Sequence, residues 1–330
     1  MPLFSSYDII FAGGGTVACI IAGRLAQADP SLKILIIEAG SHSLNLHHHV
    51  QPARYLNNLV QGHTFTHHNS GGSAVNFLMY TRAPSSDYDD WERLGNPGWG
   101  SESLIPLAKK ASDRYIDSRT GKRSDTAHHF VYNLQNFSLE PSDSSNLHVL
   151  TNRRVVKVIF RNTCAIGVEY VTREDFNGKS LSQPRIAYAS RLVVLSSGAF
   201  GSPAILERSG IGAARHVAEA NVQQIVDLPG VGENYNDHNL CLTSYLASED
   251  SDCLDGIFSG DEEAIKPHLK EWQEKGSGLL AHNSIDAGVK LRPTSEELEE
   301  LGPSFRQLWK DFYVGAPDKP VAILCPTAGL

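Results

Sequence analysis

Short apolar runs and one helical period alternate through the first forty residues. Tyr7-Asp8-Ile9-Ile10-Phe11-Ala12 reads as a short buried strand, and Gly13-Gly14-Gly15-Thr16-Val17-Ala18 opens a helical run to Ala28. Ile34 to Ile37 is a second apolar strand, closed by Glu38. Ala18, Ala22 and Ala26 fall at i, i+4 and i+8, so one face of the helix is small and can lie close to a sheet. Residues 41–70 are rich in His and Asn without a clear period, which predicts irregular chain. Gly71 to Tyr80 is a small-residue turn entering an apolar helical segment, Asn96-Pro97-Gly98-Trp99-Gly100 is a turn cluster, and Leu104 to Tyr115 has a helical pattern. His148 to Phe160 and Cys164 to Val171 read as two strands of a hairpin or small sheet, joined at Arg161-Asn162-Thr163. Leu192 to Leu195 is an apolar strand running into Ser196-Ser197-Gly198-Ala199, with helices over 202–208 and 213–220. From Thr243 onward acids and helical patterns dominate, with a capping box at Thr294-Ser295-Glu296-Glu297 ahead of a helix. That change places a domain boundary near 245.

Composition narrows the class. A length of 330 residues predicts about two domains. Hydrophobic content of 41% and charged content of 20% are those of a globular protein with a sizeable core. The net charge of −8, with no long basic run, argues against a nucleic-acid partner. Five cysteines, an odd number with no C-x-x-C pair, predict free thiols in a reducing compartment. No apolar run is long enough to span a bilayer, so no membrane association is expected. The first strand begins almost at Met1, which leaves no room for a signal peptide, and Ala328-Gly329-Leu330 is not a peroxisomal address. The expected location is intracellular, and nothing in the chain defines an oligomeric state.

The opening strand, glycine turn, helix, strand and acid form the dinucleotide-binding fingerprint. Gly13 permits the tight turn and Gly15 lets the backbone approach a pyrophosphate. Ala18 takes the third position, where helix and sheet must pack closely. The helix start at Thr16 offers free N–H groups and positive potential. Glu38, twenty-five residues after Gly13, is placed to accept from a ribose hydroxyl. The competing reading is a glycine-rich loop that binds nothing. Other candidates have plainer readings. The runs His47-His48-His49, His67-His68 and His128-His129 place neighbouring side chains on diverging directions, so no metal site is expected. Asp237-His238 is not read as a catalytic pair, Ser209 lies outside any nucleophile elbow and reads as a structural turn, and Trp91 and Trp99 read as packing around a turn. Glu296 to Glu300 reads as a solvated acidic face.

Three further segments add to the fingerprint. They are Gly71-Gly72-Ser73-Ala74-Val75-Asn76-Phe77-Leu78-Met79-Tyr80-Thr81-Arg82, Gly198-Ala199-Phe200-Gly201-Ser202-Pro203-Ala204-Ile205-Leu206-Glu207-Arg208-Ser209-Gly210-Ile211-Gly212, and Leu228-Pro229-Gly230-Val231-Gly232-Glu233-Asn234-Tyr235-Asn236-Asp237-His238. Together they resemble the glucose–methanol–choline (GMC) oxidoreductases. Gly121-Lys122-Arg123-Ser124-Asp125, Ile285-Asp286-Ala287-Gly288-Val289-Lys290-Leu291-Arg292-Pro293-Thr294 and Pro317-Asp318-Lys319-Pro320-Val321 narrow the likeness to the fungal alcohol (methanol) oxidase branch. The resemblance implies an α/β chain of the two-domain α+β flavoprotein type. A Rossmann-like FAD-binding domain would cover 1–245, with a shortened substrate-domain excursion near 100–125. An incomplete substrate-binding domain would cover 246–330. It also implies FAD as cofactor and a small-molecule primary alcohol as substrate, oxidised to the aldehyde by hydride transfer to flavin. Gly13, Gly15, Thr16, Glu38, Gly72, Ser73, Asn76, Val155, Ser197 and Gly198 are the implied cofactor-binding positions, Val155 through its backbone to the adenine. Gly71 and Gly72 let backbone approach the diphosphate, with the short polar groups of Ser73 and Asn76 beside it. Relatives of this branch tend to be peroxisomal, so cytoplasm and peroxisome are both expected locations.

The chain departs from the family pattern in three places. Between Glu38 and Gly71 a basic segment is shortened, with Asn69-Ser70 before the glycines and Ala74 where serine is usual. Between Lys110 and Tyr115 a long insertion is lacking. The family's catalytic histidine lies in sequence that follows the Asp-Lys-Pro-Val block, so no residue up to Leu330 is assigned as the base. A sheet without its partner strands is expected to leave apolar faces exposed. A non-catalytic degenerate or truncated relative therefore stands as one alternative, and an NAD-dependent dehydrogenase sharing the opening fingerprint as another.

Overall fold

Ile9 to Ala12 and Ile34 to Ile37 carry no polar side chain, as strands covered on both faces of a parallel sheet must. The computed structural model describes residues 6–42, 46–59, 76–79, 81–112, 145–172, 183–248, 251, 253–285 and 287–329. It contains β1 (Tyr7–Ala12), β2 (Ile34–Ile37), β3 (Leu147–Leu150), β4 (Arg153–Arg161), β5 (Cys164–Thr172) and β6 (Arg185–Leu195) in one sheet of order β3-β2-β1-β6-β5-β4. The first four in that order are parallel, and β5 and β4 run on as an antiparallel pair. β6 belongs to both halves: Arg185–Tyr188 pair with β5, and the stretch from Ala189 to Leu195 pairs with β1.

Strand alternation divides the core in two. Ile9, Phe11, Ile34 and Ile36 pack against α1 (Thr16–Ala28), whose Ala18, Ala22 and Ala26 are buried at 2% exposure or less. Ile10, Ala12, Leu35 and Ile37 face the other way, against Val155, Val158, Val168 and Ile205, the last from the helix Gly198–Arg208.

Several sequence expectations change. The strand expected from His148 to Phe160 is two strands. Leu147–Leu150 pairs parallel with β2, the chain turns at Asn152 (φ +55°), and β4 then pairs with β5. Residues 47–59, expected to be irregular, contain a helical turn His47–Val50 and a 3-10 helix Pro52–Leu59. Gln51, Ala53, Tyr55 and Asn57 are buried there, and two of the four are polar, which hides the segment from a hydrophobic pattern. Asn76–Met79 is not helical, and Leu78 sits in the left-handed region at φ +57°; Gly71–Val75 and Tyr80 lie outside the described residues. The helices expected from 104 and 202 start earlier, as Ser101–Ser112 and Gly198–Arg208, and β6 starts at Arg185 rather than Leu192.

The chain divides into two compact units, one of Met1–Gln51, Tyr55–Asn76 and Val131–Leu246, the other of Pro52–Arg54, Phe77–Phe130 and Ala247–Leu330. The first also holds a short parallel pair, β7 (Ile211–Gly212) and β8 (Val226–Asp227). The second has helices at Ser85–Arg93, Ser101–Ser112, Glu262–Lys275, Ser295–Glu300 and Gly302–Phe312, and an antiparallel ribbon of β9 (Val289–Leu291) and β10 (Ala322–Leu324). Its sequence blocks meet through polar groups. Arg292 donates to the carbonyls of Ala316 (3.0 Å), Tyr313 (3.1 Å) and Lys319, and its guanidinium lies 4.6 Å from the Trp309 ring centre. Lys319 pairs with Asp87 (3.3 Å) and Asp90, and the Ser86 N–H donates to Asp318 (3.1 Å). Burial works against the charge on Lys319, but Asp90 and Asp87 outweigh it and hold its pKa above the ordinary value. Both halves of the expected capping box form: Glu297 N–H donates to Thr294 Oγ1 and Thr294 N–H to Glu297 Oε2. All five cysteines are free. Among the described residues no helix is long and apolar enough to cross a membrane.

Candidate functional site

Strand register brings the chemistry-bearing positions to one edge. Ala12 pairs with Ile37 on one side and with Leu195 on the other, so Gly13, Glu38 and Ser196 emerge together at the carboxyl ends of three parallel strands. The ladder continues one step past the strands: Gly13 N–H donates to Ile37 O, Ser196 N–H to Ala12 O, and Glu38 N–H to Leu150 O, each at 2.8 Å. This is the edge where open α/β sheets take their ligands.

The glycines there are not equivalent. Gly13 has φ +104°, and a Cβ on it would lie 2.4 Å from the Ser196 carbonyl oxygen, so no other residue fits the turn. Gly15 is the N-cap of α1 and is exposed. Among the described residues a Cβ on it would meet only Ser196 O, at 3.9 Å. The first turn of α1, which Thr16 begins, contains no acid.

Glu38 does not point freely outward. Its Oε2 accepts from Gly14 N–H at 2.7 Å and its Oε1 from Gly40 N–H at 2.6 Å. The Gly14 carbonyl is held from the helix side, where Cys19 Sγ donates to it at 3.2 Å. Burial, with Glu38 adding, pushes the Cys19 thiol up to about 11, so it remains a donor at neutral pH. Sequence reasoning assigned no role at the site to Gly14, Gly40 or Cys19. Three glycines in a row, where the fingerprint asks for two, were the available signal.

The next strand end is similarly engaged. Ser196 Oγ donates to Ala12 O (3.1 Å) and Gly13 O (2.9 Å), and Ser197 Oγ to Ala12 O (2.7 Å). Ser197 N–H donates to Ser202 Oγ at 3.0 Å, and Gly198, at φ +79°, starts the following helix with its backbone exposed. Val155 lies in β4 opposite Tyr170 with its side chain in the core, two residues after Arg153, whose N–H donates to Glu38 O at 2.9 Å. Asn76 is half-buried. Gly72 and Ser73 lie outside the described residues, as do His67, His68, His128 and His129.

The remaining candidates are local features. Asp237 accepts from the Tyr235 hydroxyl (2.9 Å) and from His238 N–H (2.8 Å) in an exposed turn, and these bonds lower its pKa. Ser209 is buried, donates to Ile205 O and accepts from Val158 N–H at 2.8 Å, tying helix to strand. Trp91 and Trp99 lie with ring centres 5.9 Å apart, both half-exposed. A groove of about 410 Å³ lined by Lys157, Phe160, Arg208, Val222 and Ile225 sits by the C-terminal end of the helix that Gly198 begins, away from the glycine turn.

The fold and its glycine turn define a Rossmann-like α/β protein. The family model described as GMC oxidoreductase matches residues 7–130 and 114–240. The chain belongs to the GMC oxidoreductase family. It is 33% identical to an alcohol oxidase of Candida boidinii and 32% identical to one of Pichia angusta, in each case over 97% of this chain. The chain spans 59% of the length of either relative. The Candida alignment runs over 402 positions, more than the 330 residues of this chain, so the relative carries internal segments that this chain lacks. Among solved structures, formate oxidase superposes with a TM-score of 0.75 at 17% identity, covering 99% of this chain and 69% of its own. An FAD-dependent oxidoreductase from Chaetomium thermophilum superposes with a TM-score of 0.61 at 23% identity, covering 93% and 64%.

Proposed function

We propose that this chain is the FAD-binding part of an oxidoreductase that converts a primary alcohol to its aldehyde. The observation that carries the reading is the convergence of Gly13, Gly15, the α1 start and Glu38 at one sheet edge. Family membership supplies the flavin. The residues present fit such a group: the turn admits no side chain at Gly13, a Cβ on Gly15 would meet only Ser196 O at 3.9 Å among the described residues, and no acid lies in the first turn of α1.

In this reading Gly15 and Thr16 offer backbone donors to the diphosphate. Gly13 keeps the turn tight, and the outer lone pairs of Glu38 take a ribose hydroxyl. Gly198 and the backbone near Val155 border the cofactor, with Ser197 holding the β1 end in place. Gly72, Ser73 and Asn76 complete the set. The unit of Met1–Gln51, Tyr55–Asn76 and Val131–Leu246 is the FAD-binding domain, and the other unit is part of a substrate-binding domain. Bound flavin accepts the hydride. The chain's own residues bind and orient the cofactor, and no residue of this chain is assigned as the base that takes the alcohol proton.

The test is the visible spectrum of the purified chain, with and without added FAD, followed by a primary alcohol under exclusion of oxygen. A flavin spectrum that bleaches with alcohol is the expected result for a competent site. A stable flavin spectrum without bleaching restricts the function to cofactor binding. Correctly folded protein that takes up no FAD overturns the proposal.

A further inference from the structure

We infer that Glu38 is a positioning residue that locks the glycine turn before a ligand arrives, a role beyond ribose contact that rests on the FAD reading above. Both of its carboxylate oxygens are engaged by backbone, Oε2 by Gly14 N–H and Oε1 by Gly40 N–H. The fit is close on both sides. A Cβ on Gly14 would lie 3.1 Å from Glu38 Cβ, and a Cβ on Gly40 would lie 3.0 Å from Oε1. The two glycines thus form a slot for this side chain.

The consequence follows from peptide geometry. Gly14 has its N–H held by Glu38 and its carbonyl held by Cys19 Sγ, so the peptide groups on both sides of its Cα are oriented. In a trans peptide the C=O and the next N–H point in opposite directions. Turning the Gly14 carbonyl toward Cys19 therefore turns the Gly15 N–H away from it. Three successive glycines are otherwise the least constrained backbone available, and ordering them on binding would weaken affinity. Electrostatics sharpen the point, because a carboxylate beside an anion site disfavours the anion by charge alone. If Glu38 only contacted ribose, its removal would leave inorganic diphosphate bound as well as before or better. If Glu38 holds the turn, its removal weakens diphosphate despite the lost repulsion.

The experiment compares wild type with Glu38→Gln. The glutamine amide can accept one of the two N–H groups but opposes the other with its own donors. Hydrogen exchange at the Gly14 and Gly40 amides is measured by NMR in the ligand-free chain, and inorganic diphosphate and FAD are titrated. Expected are exchange at Gly14 and Gly40 at least about tenfold faster and diphosphate binding about tenfold weaker, with exchange at Ile10 and Phe11 unchanged. Unchanged exchange at the two glycines, or diphosphate bound as tightly or more tightly, overturns the inference. If Ile10 and Phe11 lose protection in Glu38→Gln, Gly40→Ala takes its place, since its Cβ, 3.0 Å from Oε1, crowds the carboxylate while keeping its charge. If the wild type binds neither FAD nor diphosphate, the FAD reading fails. Exchange at Gly14 and Gly40 then decides the lock by itself.

Discussion

Every residue of Ile34–Ile37 is buried at 1% exposure or less, whereas all six residues of the β9–β10 ribbon are exposed, Val289 and Leu324 by half or more. The two regions are held by different means. The centre of the first unit's parallel sheet is apolar, with residues buried on both faces. Around the ribbon, segments of the second unit are joined through the guanidinium of Arg292, the ammonium of Lys319 and the carboxylates of Asp87, Asp90 and Asp318, while Leu254, Ile257, Ile265 and Leu280 are buried elsewhere in the unit. The lesson concerns what a strand needs in order to bury its side chains. Strands at the centre of a sheet are buried by neighbours on both sides, while a two-stranded ribbon needs further strands or other contacts to bury its side chains. Among the described residues Leu240, Leu242, Tyr245 and Leu246 are likewise exposed.

The contrast can be broken at its strongest point first. Ile36→Ala empties a site of 0% exposure under α1 and should destabilise the first unit by about 2–5 kcal/mol. All four tryptophans, Trp91, Trp99, Trp272 and Trp309, belong to the second unit. Urea unfolding followed by tryptophan emission therefore reports that unit, while hydrogen exchange at Ile10 and Phe11 reports the sheet. Exchange should accelerate with little movement of the tryptophan transition. Equal shifts in both would show that the two regions unfold as one and would dissolve the comparison.

Arg292→Ala is the converse change and should be smaller. It removes three bonds to carbonyls and the contact with Trp309, a loss of about 1–3 kcal/mol. The tryptophan transition should move to lower urea, with exchange at Ile10 unaltered. A sheet as strongly affected as the second unit would contradict the assignment of Arg292 to a local joint.

The smallest effect lies in acid. His148 is buried with its Nδ1 2.9 Å from the Tyr7 hydroxyl, and burial lowers its pKa below 6.5. The unfolded chain then takes up the proton first as pH falls. Stability of the first unit should drop as pH passes downward through about 6.5 and level off below the folded value. Urea midpoints read at the Ile10 and Phe11 amide resonances from pH 8 to pH 5 check this, and His148→Asn should flatten that part of the profile. A midpoint that rises toward pH 5 in the wild type alone would reverse the sign.

Much of the first unit was legible because its local signals agree. Apolar runs, a glycine turn and a small-faced helix all point to one β-α-β unit, and each was found where the pattern placed it. The break at Asn152 was not legible, because β3 exists only through pairing with β2 across more than a hundred residues. The helical expectation at Asn76–Met79 failed for a similar reason. Apolar residues there suggested a helix, but Leu78 adopts a left-handed backbone and Asn283 donates to the carbonyls of Phe77 and Leu78. At the candidate site, residue types and spacing named Gly13, Gly15 and Glu38, yet gave no indication that Gly14 and Gly40 enclose the acid.

By itself, then, the sequence determined the family, the opening β-α-β unit, the need for glycine at the turn and the capping box at Thr294. These follow from local sterics, periodicity and short-range hydrogen bonds. Only the tertiary structure decided that β6 serves both a parallel and an antiparallel half-sheet, that Arg292 and Lys319 join distant blocks, and that Glu38 is clasped by two backbone amides. Those features arise from contacts between segments far apart in the chain, and long-range pairing of that kind leaves no local period to read.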